Sequence, residues 1–301
     1  MIGTVDWQIR RAVFDWLTEQ RESVGEALSR DSLETFVLDG RRVPLVGPSG
    51  IWKPAVCELP LSITTSVRSP YGDTFADGVL NYAYRGTDPQ HRDNVGLRRA
   101  WRERVPLVYF HAIEAGWYMP SYPAFVTGDE PRRLSFTVQV DDASAASSSA
   151  LAGLRVSEDD GEARRAYITR SVRQRLHQVA FRQRVIRAYQ DRCALCSLRH
   201  QELLDAAHIT PDSDPDGQPI VSNGVALCKL HHAAFDRFFF AIRPDYVIEV
   251  RSSILEEHDG PMLIVGLQQI HQQRIFLPRH PADRPDRARL ERRYVEFLRA
   301  G

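Results

Sequence analysis

Lysine is almost missing from this chain: Lys53 and Lys229 are the only two, so nearly all of its 39 basic side chains are arginines. Long apolar runs are missing as well, and no stretch approaches the roughly 20 residues a bilayer-spanning helix needs. The opening residues place Asp6 and Asp15 among their apolar neighbours. They lack the unbroken apolar segment of a secretory signal, so a cytoplasmic location is expected. Cysteine is scarce, with four in 301 residues. Cys57 stands alone and Cys193, Cys196 and Cys228 fall together, which excludes a disulfide framework and makes Cys57 a buried thiol. Net charge is zero, 39 basic against 39 acidic side chains. The total therefore argues neither for nor against a polyanionic partner, and the distribution must decide.

An apolar fraction of 43% and a charged fraction of 26% belong to an ordinary globular protein. The length suffices for two cores, since domains run to about 100–200 residues. The expected class is α+β. Residues 6–28 carry Val13, Leu17 and Val24 at helical spacing, and residues 36–140 break into short apolar or alternating runs separated by Gly, Pro and Asp. A short helix over 94–105 interrupts those strands. Residues 141–153 are small, polar and aperiodic, as in a linker. The expected division is a mostly-β domain with an opening helix at 1–140, a linker at 141–163, and a second domain at 164–301. Within the last, 171–190 reads as a helix free of Gly and Pro, and 283–298 as a final charged helix.

Charge is concentrated between residues 161 and 192, where nine arginines face two acids, Glu162 and Asp191. Such a stripe, with Arg173, Arg182 and Arg184 as candidate DNA contacts, suits phosphate oxygens, which guanidinium groups bind as a fork. A solvated helix face in an arginine-rich sequence is the alternative.

Next to the stripe, Cys193-x-x-Cys196 and Cys228-x-x-His231 supply four ligands in two close pairs, each able to grip one tetrahedral Zn²⁺ from a tight turn. Four protein ligands leave no open position for substrate, so this zinc is expected to fold the module and to take no part in catalysis.

Between the pairs lies LLDAAHI, and after it SNGVALCKLHHAAFD. The order Cys-x-x-Cys, AHI, NG-hydrophobic-x-L and Cys-x-x-His-His-x-x-Phe-Asp, over about 55 residues, resembles the HNH endonucleases, whose ββα-metal fold packs two strands against a helix around a divalent ion. The resemblance implies His208 as general base and Asn223 as a brace for it, with His232 and Asp236 holding Mg²⁺, Mn²⁺ or a similar ion. Phosphodiester hydrolysis needs these functions: an activated water, neutralised phosphate charge and help for the leaving oxygen. A neutral imidazole can take the proton, and residues four apart on a helix share a face. The alternatives are a core histidine at 208, a turn residue at 223, a helix-surface charge at 236 and, at 232, a residue that supports the site without binding the ion. The sequence departs from the family at Ala207, where many members carry another metal ligand. Either two side chains hold the ion, or Asp205, on the same strand face, contributes.

In the first domain, residues 71–88 followed by DNVGLRRAW and VPLVYFHAI are similar in order to SRA-type domains of the PUA-like superfamily, which flip modified cytosine into a pocket. That resemblance implies Tyr71, Asp73, Asp77, Tyr82 and Tyr84 as pocket candidates, offering stacking faces and polar edges; core aromatics on an alternating strand are the plainer reading. Together the two resemblances imply a modification-dependent, type IV-like restriction endonuclease acting on double-stranded DNA. A homodimer would suit double-strand cutting. A nicking or homing-type nuclease, or a zinc-folded DNA-binding protein without catalysis, are the competing readings.

Overall fold

The protein, described from a computed structural model, is resolved into elements over residues 2–65, 75–76, 79–140 and 161–300. It is α+β and divides into two compact units, Met1–Val179 and Ala180–Gly301. The expected linker falls largely outside the described residues. The contact-poor boundary itself lies within a helix at residue 179.

The first unit opens with helix α1 (Thr4–Ser23), whose Ile9, Val13 and Leu17 are buried at four-residue spacing. Strand β1 (Leu28–Ser29), helix α2 (Arg30–Glu34) and a hairpin of β2 (Val37–Leu38) with β3 (Arg41–Arg42) follow. Then come β4 (Ile51–Trp52), β5 (Ser62–Thr64), β6 (Phe75–Ala76), β7 (Val79–Ala83), helix α3 (Arg92–Arg102), β8 (Leu107–Glu114), β9 (Trp117–Glu130) and β10 (Ser135–Val140). The sheet runs β4-β5-β8-β9-β10-β7-β6, with β1 paired to β9. Central β8 is buried on both faces, which explains its run LVYFHAI, apolar except for the buried His111. Val108 and Phe110 pack with Ile9, Val13 and Leu17 of α1, while Leu107 and Tyr109 pack with Leu97 of α3. The sheet is therefore the middle of three layers.

Asp6, which argued against a signal sequence, lies in this core. It pairs with the buried Arg10 at 2.6 Å, and Arg10 also donates to the carbonyls of Leu59, Pro60 and Pro106. The charge is thus matched and hydrogen-bonded, the condition under which a buried ion is tolerated. Cys57 is buried, and desolvation pushes its thiol up to about 12.

Helix α4 (Gly161–Ala188) extends ten residues before the expected start. Its end enters the second unit, where Phe181, Val185 and Tyr189 are buried at i, i+4 spacing. Gln190 and Asp191, at φ 56° and 53°, stop it and turn the chain toward Cys193. Strands β11 (Leu204–His208) and β12 (Gly224–Cys228) then pair antiparallel, with His208 opposite Gly224. Helix α5 (Lys229–Asp236) begins directly after β12. Strands β13 (Phe240–Ile242) and β14 (Ile248–Val250) form a second hairpin, followed by α6 (Ser252–Glu256), α7 (Pro261–Gly266) and α8 (Arg287–Ala300). One core joins Phe181, Val185, Val225, Phe235, Phe240 and Leu290. The last helix starts later than the expected 283 because Asp286 caps it, accepting the Arg289 N–H at 2.9 Å.

No helix among the described residues is long and apolar enough to cross a membrane.

Candidate active site and metal centre

The two ligand pairs come from two tight structures. Cys193 and Cys196 sit on a knuckle closed by the Ser197 N–H to the Cys193 carbonyl and by the Cys193 N–H to the Leu198 carbonyl, with Ser197 at φ 60°. Cys228 ends β12 and His231 lies in the first turn of α5. Their four ligand atoms lie within 4.8 Å of one another. His231 Nδ1 is 3.4 Å from Cys193 Sγ and 3.2 Å from Cys228 Sγ, and the Sγ atoms of Cys196 and Cys228 are 4.0 Å apart. Bonds of about 2.3 Å to sulfur and 2.0–2.1 Å to nitrogen in a tetrahedron put donors roughly 3.5–3.8 Å apart, so the set fits one ion. His231 Nε2 donates to the Gly266 carbonyl at 2.7 Å, which leaves the Nδ1 lone pair facing the sulfurs.

Around this centre β11, β12 and α5 form the strand-strand-helix unit. His208 is the last residue of β11. Its ring stacks on Phe181 with centroids 4.0 Å apart, and its Nε2 is shielded from solvent without a protein partner. Desolvation lowers its pKa below the ordinary histidine value, outweighing the opposing pull of Asp212, Asp236 and Asp205. The imidazole is therefore neutral at physiological pH.

Asn223 is fully buried and holds the chain just beyond His208. Its Oδ1 accepts the Thr210 N–H at 2.9 Å, and its Nδ2 donates to the carbonyls of Thr210 and Gln218, both at 3.0 Å. Its own carbonyl accepts the Ile209 N–H. Asn-Gly does not supply a positive φ here, because Gly224 is extended at φ −129°. The glycine serves close approach instead: a methyl group at 224 would lie 2.5 Å from Val185 Cγ2 and 2.8 Å from Phe181 Cζ. Gly224→Ala should therefore displace the ring beneath His208 and cost about 1–3 kcal/mol as overpacking. The denaturation midpoint of the second unit measures it, and an unchanged midpoint would contradict this packing role.

His232 and Asp236 project from one face of α5, His232 Nε2 lying 3.3 Å from Asp236 Oδ2. The other ring nitrogen, Nδ1, is 3.2 Å from Asp205 Oδ2 on β11. This contact raises the His232 pKa, against the effect of burial. Ala207 is fully buried and offers nothing.

The cationic stripe is partly absorbed by the fold. Arg182 Nη2 donates to the carbonyls of Gln201 and Leu204 at 2.9 and 2.7 Å, Nε lying 3.6 Å from Asp205. Arg184 is exposed and gives one N–H to the Pro219 carbonyl. The Arg173 side chain lies outside the described residues, and Arg175 pairs with Glu26 at 2.9 Å.

Of the pocket candidates in the first unit, Tyr71, Asp73 and Asp77 lie outside the described residues. Tyr82 and Tyr84 are buried in the sheet core. Tyr82 packs edge-on against Tyr109 and its hydroxyl reaches the Thr64 carbonyl; the Tyr84 hydroxyl bonds Asp129 and accepts from Arg98.

Sequence reading missed Arg293. This arginine of α8, 8% exposed, donates to the carbonyls of Phe235 at 2.8 Å and Ile209 at 3.4 Å. It lies 3.8 Å from Asp236 and covers the Phe235 ring at 3.9 Å. It thus clamps the end of α5 to the residue after His208. One signal was available: 290, 293 and 297 share a helix face, and Leu290 and Phe297 are apolar.

No curated protein matches the sequence. Among solved structures, a chain titled "Modification dependent TagI restriction endonuclease" is similar at 15% identity, covering 79% of this chain and 81% of that one with a TM-score of 0.31. Residues 193–243 match the family model described as HNH endonuclease. That span begins at the first cysteine of the metal centre and contains His208, Asn223, His232 and Asp236, so the second unit carries an HNH endonuclease domain.

Proposed function

We propose that the protein is a divalent-ion-dependent DNA endonuclease in which His208 activates water, Asn223 braces the segment behind it, and His232 with Asp236 holds the ion. The observation that supports this best is the convergence of a desolvated, neutral histidine at the end of β11 with a His-Asp pair on the facing helix. With Nε2 shielded, Nδ1 is the nitrogen through which His208 meets water. The divalent ion, when bound, supplies Lewis-acid stabilisation of the phosphate charge and of the departing oxygen. Zn²⁺ at Cys193, Cys196, Cys228 and His231 is structural, since four protein ligands close its coordination. Exposed arginines such as Arg184 provide sequence-independent phosphate contacts.

The finer reading is a modification-dependent restriction enzyme whose first unit reads modified cytosine. Its support is the resemblance of residues 71–88 to SRA-type readers, and the absence of room for sequence readout in a module of some fifty residues. Supercoiled plasmids with and without cytosine modification, incubated with the full chain and a panel of divalent ions, test it. Preferential cutting of the modified plasmid is expected; equal cutting of both returns the protein to the nicking or homing-type reading.

A further inference from the structure

The departure at Ala207 removes a side chain that many HNH domains use near the ion, and the contacts around His232 show what this chain has in its place. Asp205 precedes Ala207 by two residues on the same strand face. It does not join His232 and Asp236 around a common point: it meets the opposite edge of the imidazole, Nδ1, while Asp236 meets Nε2. Asp205 is itself fixed. Its Oδ1 accepts the Ala206 N–H at 2.9 Å and lies 3.6 Å from Arg182 Nε. Arg182 in turn is anchored on the carbonyls of Gln201 and Leu204.

We propose that Asp205, backed by Arg182, is a positioning residue that accepts the Nδ1–H of His232 and so directs the Nε2 lone pair at the catalytic ion beside Asp236. The proposal rests on the reading of His232 and Asp236 as that ion's ligands. Free imidazole places its proton on either nitrogen, and a carboxylate behind a metal-binding histidine selects one tautomer, fixes the ring and strengthens the ligand. It also gives Arg182 a role inside the site, where composition had pointed to the DNA backbone.

The test is calorimetric titration of Mn²⁺ into the zinc-loaded full chain, comparing wild type with Asp205→Ala, Asp205→Asn and His232→Ala. Long-range ¹H–¹⁵N correlation of the His232 ring at about pH 9, above the imidazole range, reads the tautomer. Asp205→Ala should weaken Mn²⁺ binding about 10–100-fold and shift the ring proton to Nε2. Asp205→Asn retains an oxygen acceptor and should lose less. Zinc content, unchanged throughout, reports folding. Unchanged affinity in Asp205→Ala overturns the proposal; weakened affinity with an unchanged tautomer also overturns it, by making Asp205 a direct ligand. Unchanged affinity in His232→Ala would instead remove the ion site on which the proposal stands.

Discussion

His208→Ala should lower cleavage by about 10²–10⁴-fold, the usual loss on removing a general base, while zinc content and DNA binding stay at wild-type levels. The imidazole makes no hydrogen bond through Nε2 and sits on Phe181, so its removal deletes one ring contact and no polar network. Asp236→Ala should differ in kind. It weakens the hold on the divalent ion, so excess Mn²⁺ should recover part of its activity, whereas no ion concentration should rescue His208→Ala. The pH dependence follows from the same environment. Because desolvation lowers the His208 pKa, the neutral base persists below the ordinary value of about 6.5. At saturating metal the acid limb of kcat should therefore fall below that pH. Near-normal cutting by His208→Ala, or loss of zinc from it, would refute the assignment.

Removing the metal centre should have the second large effect, this time on folding. Cys193→Ser with Cys196→Ser is expected to eliminate the tightly bound zinc and the cooperative thermal transition of the second unit. Structural zinc contributes apparent binding energies of about 10–16 kcal/mol in zinc-finger peptides, comparable with the whole stability of a domain. The location explains the reach of the effect: an ion held by this cluster would tie the knuckle after α4 to the junction of β12 and α5, the elements that carry His208's support and both candidate ligands of the catalytic ion. Calorimetry of the full chain measures this, with the first unit's transition as internal control. A melting profile identical to wild type, or purified protein without zinc, would contradict it.

The HNH module was legible in the sequence because its ligands come in short pairs and its strands and helix follow one another within fifty residues. Local spacing there is nearly the whole of the geometry. Contacts that cross larger intervals were not legible. Arg293 reaches Ile209 across 84 residues from a helix that the sequence marked only as charged. The backbone carbonyls of Gln201 and Leu204 that Arg182 meets lie 19 and 22 residues away, and composition gives no sign of such a contact. Gly224 carried the reverse ambiguity: Asn-Gly suggests a turn, but the residue is extended, and it is the approach of Phe181 and Val185 that excludes a side chain. In the first unit, the longest strand, Trp117–Glu130, was not among the alternating runs, because two prolines and a glycine interrupt it, while Tyr82 and Tyr84 pack into the core, as the plainer reading of their strand had it.

Incubating supercoiled plasmid with the zinc-loaded full chain, with and without added Mg²⁺ or Mn²⁺, tests the central claim most directly. The account predicts conversion to nicked or linear DNA only when the divalent ion is present, leaving 5′-phosphate and 3′-hydroxyl ends. Intact plasmid under every ion and modification state, with zinc bound and DNA binding demonstrated, would contradict it and make the domain a binding module.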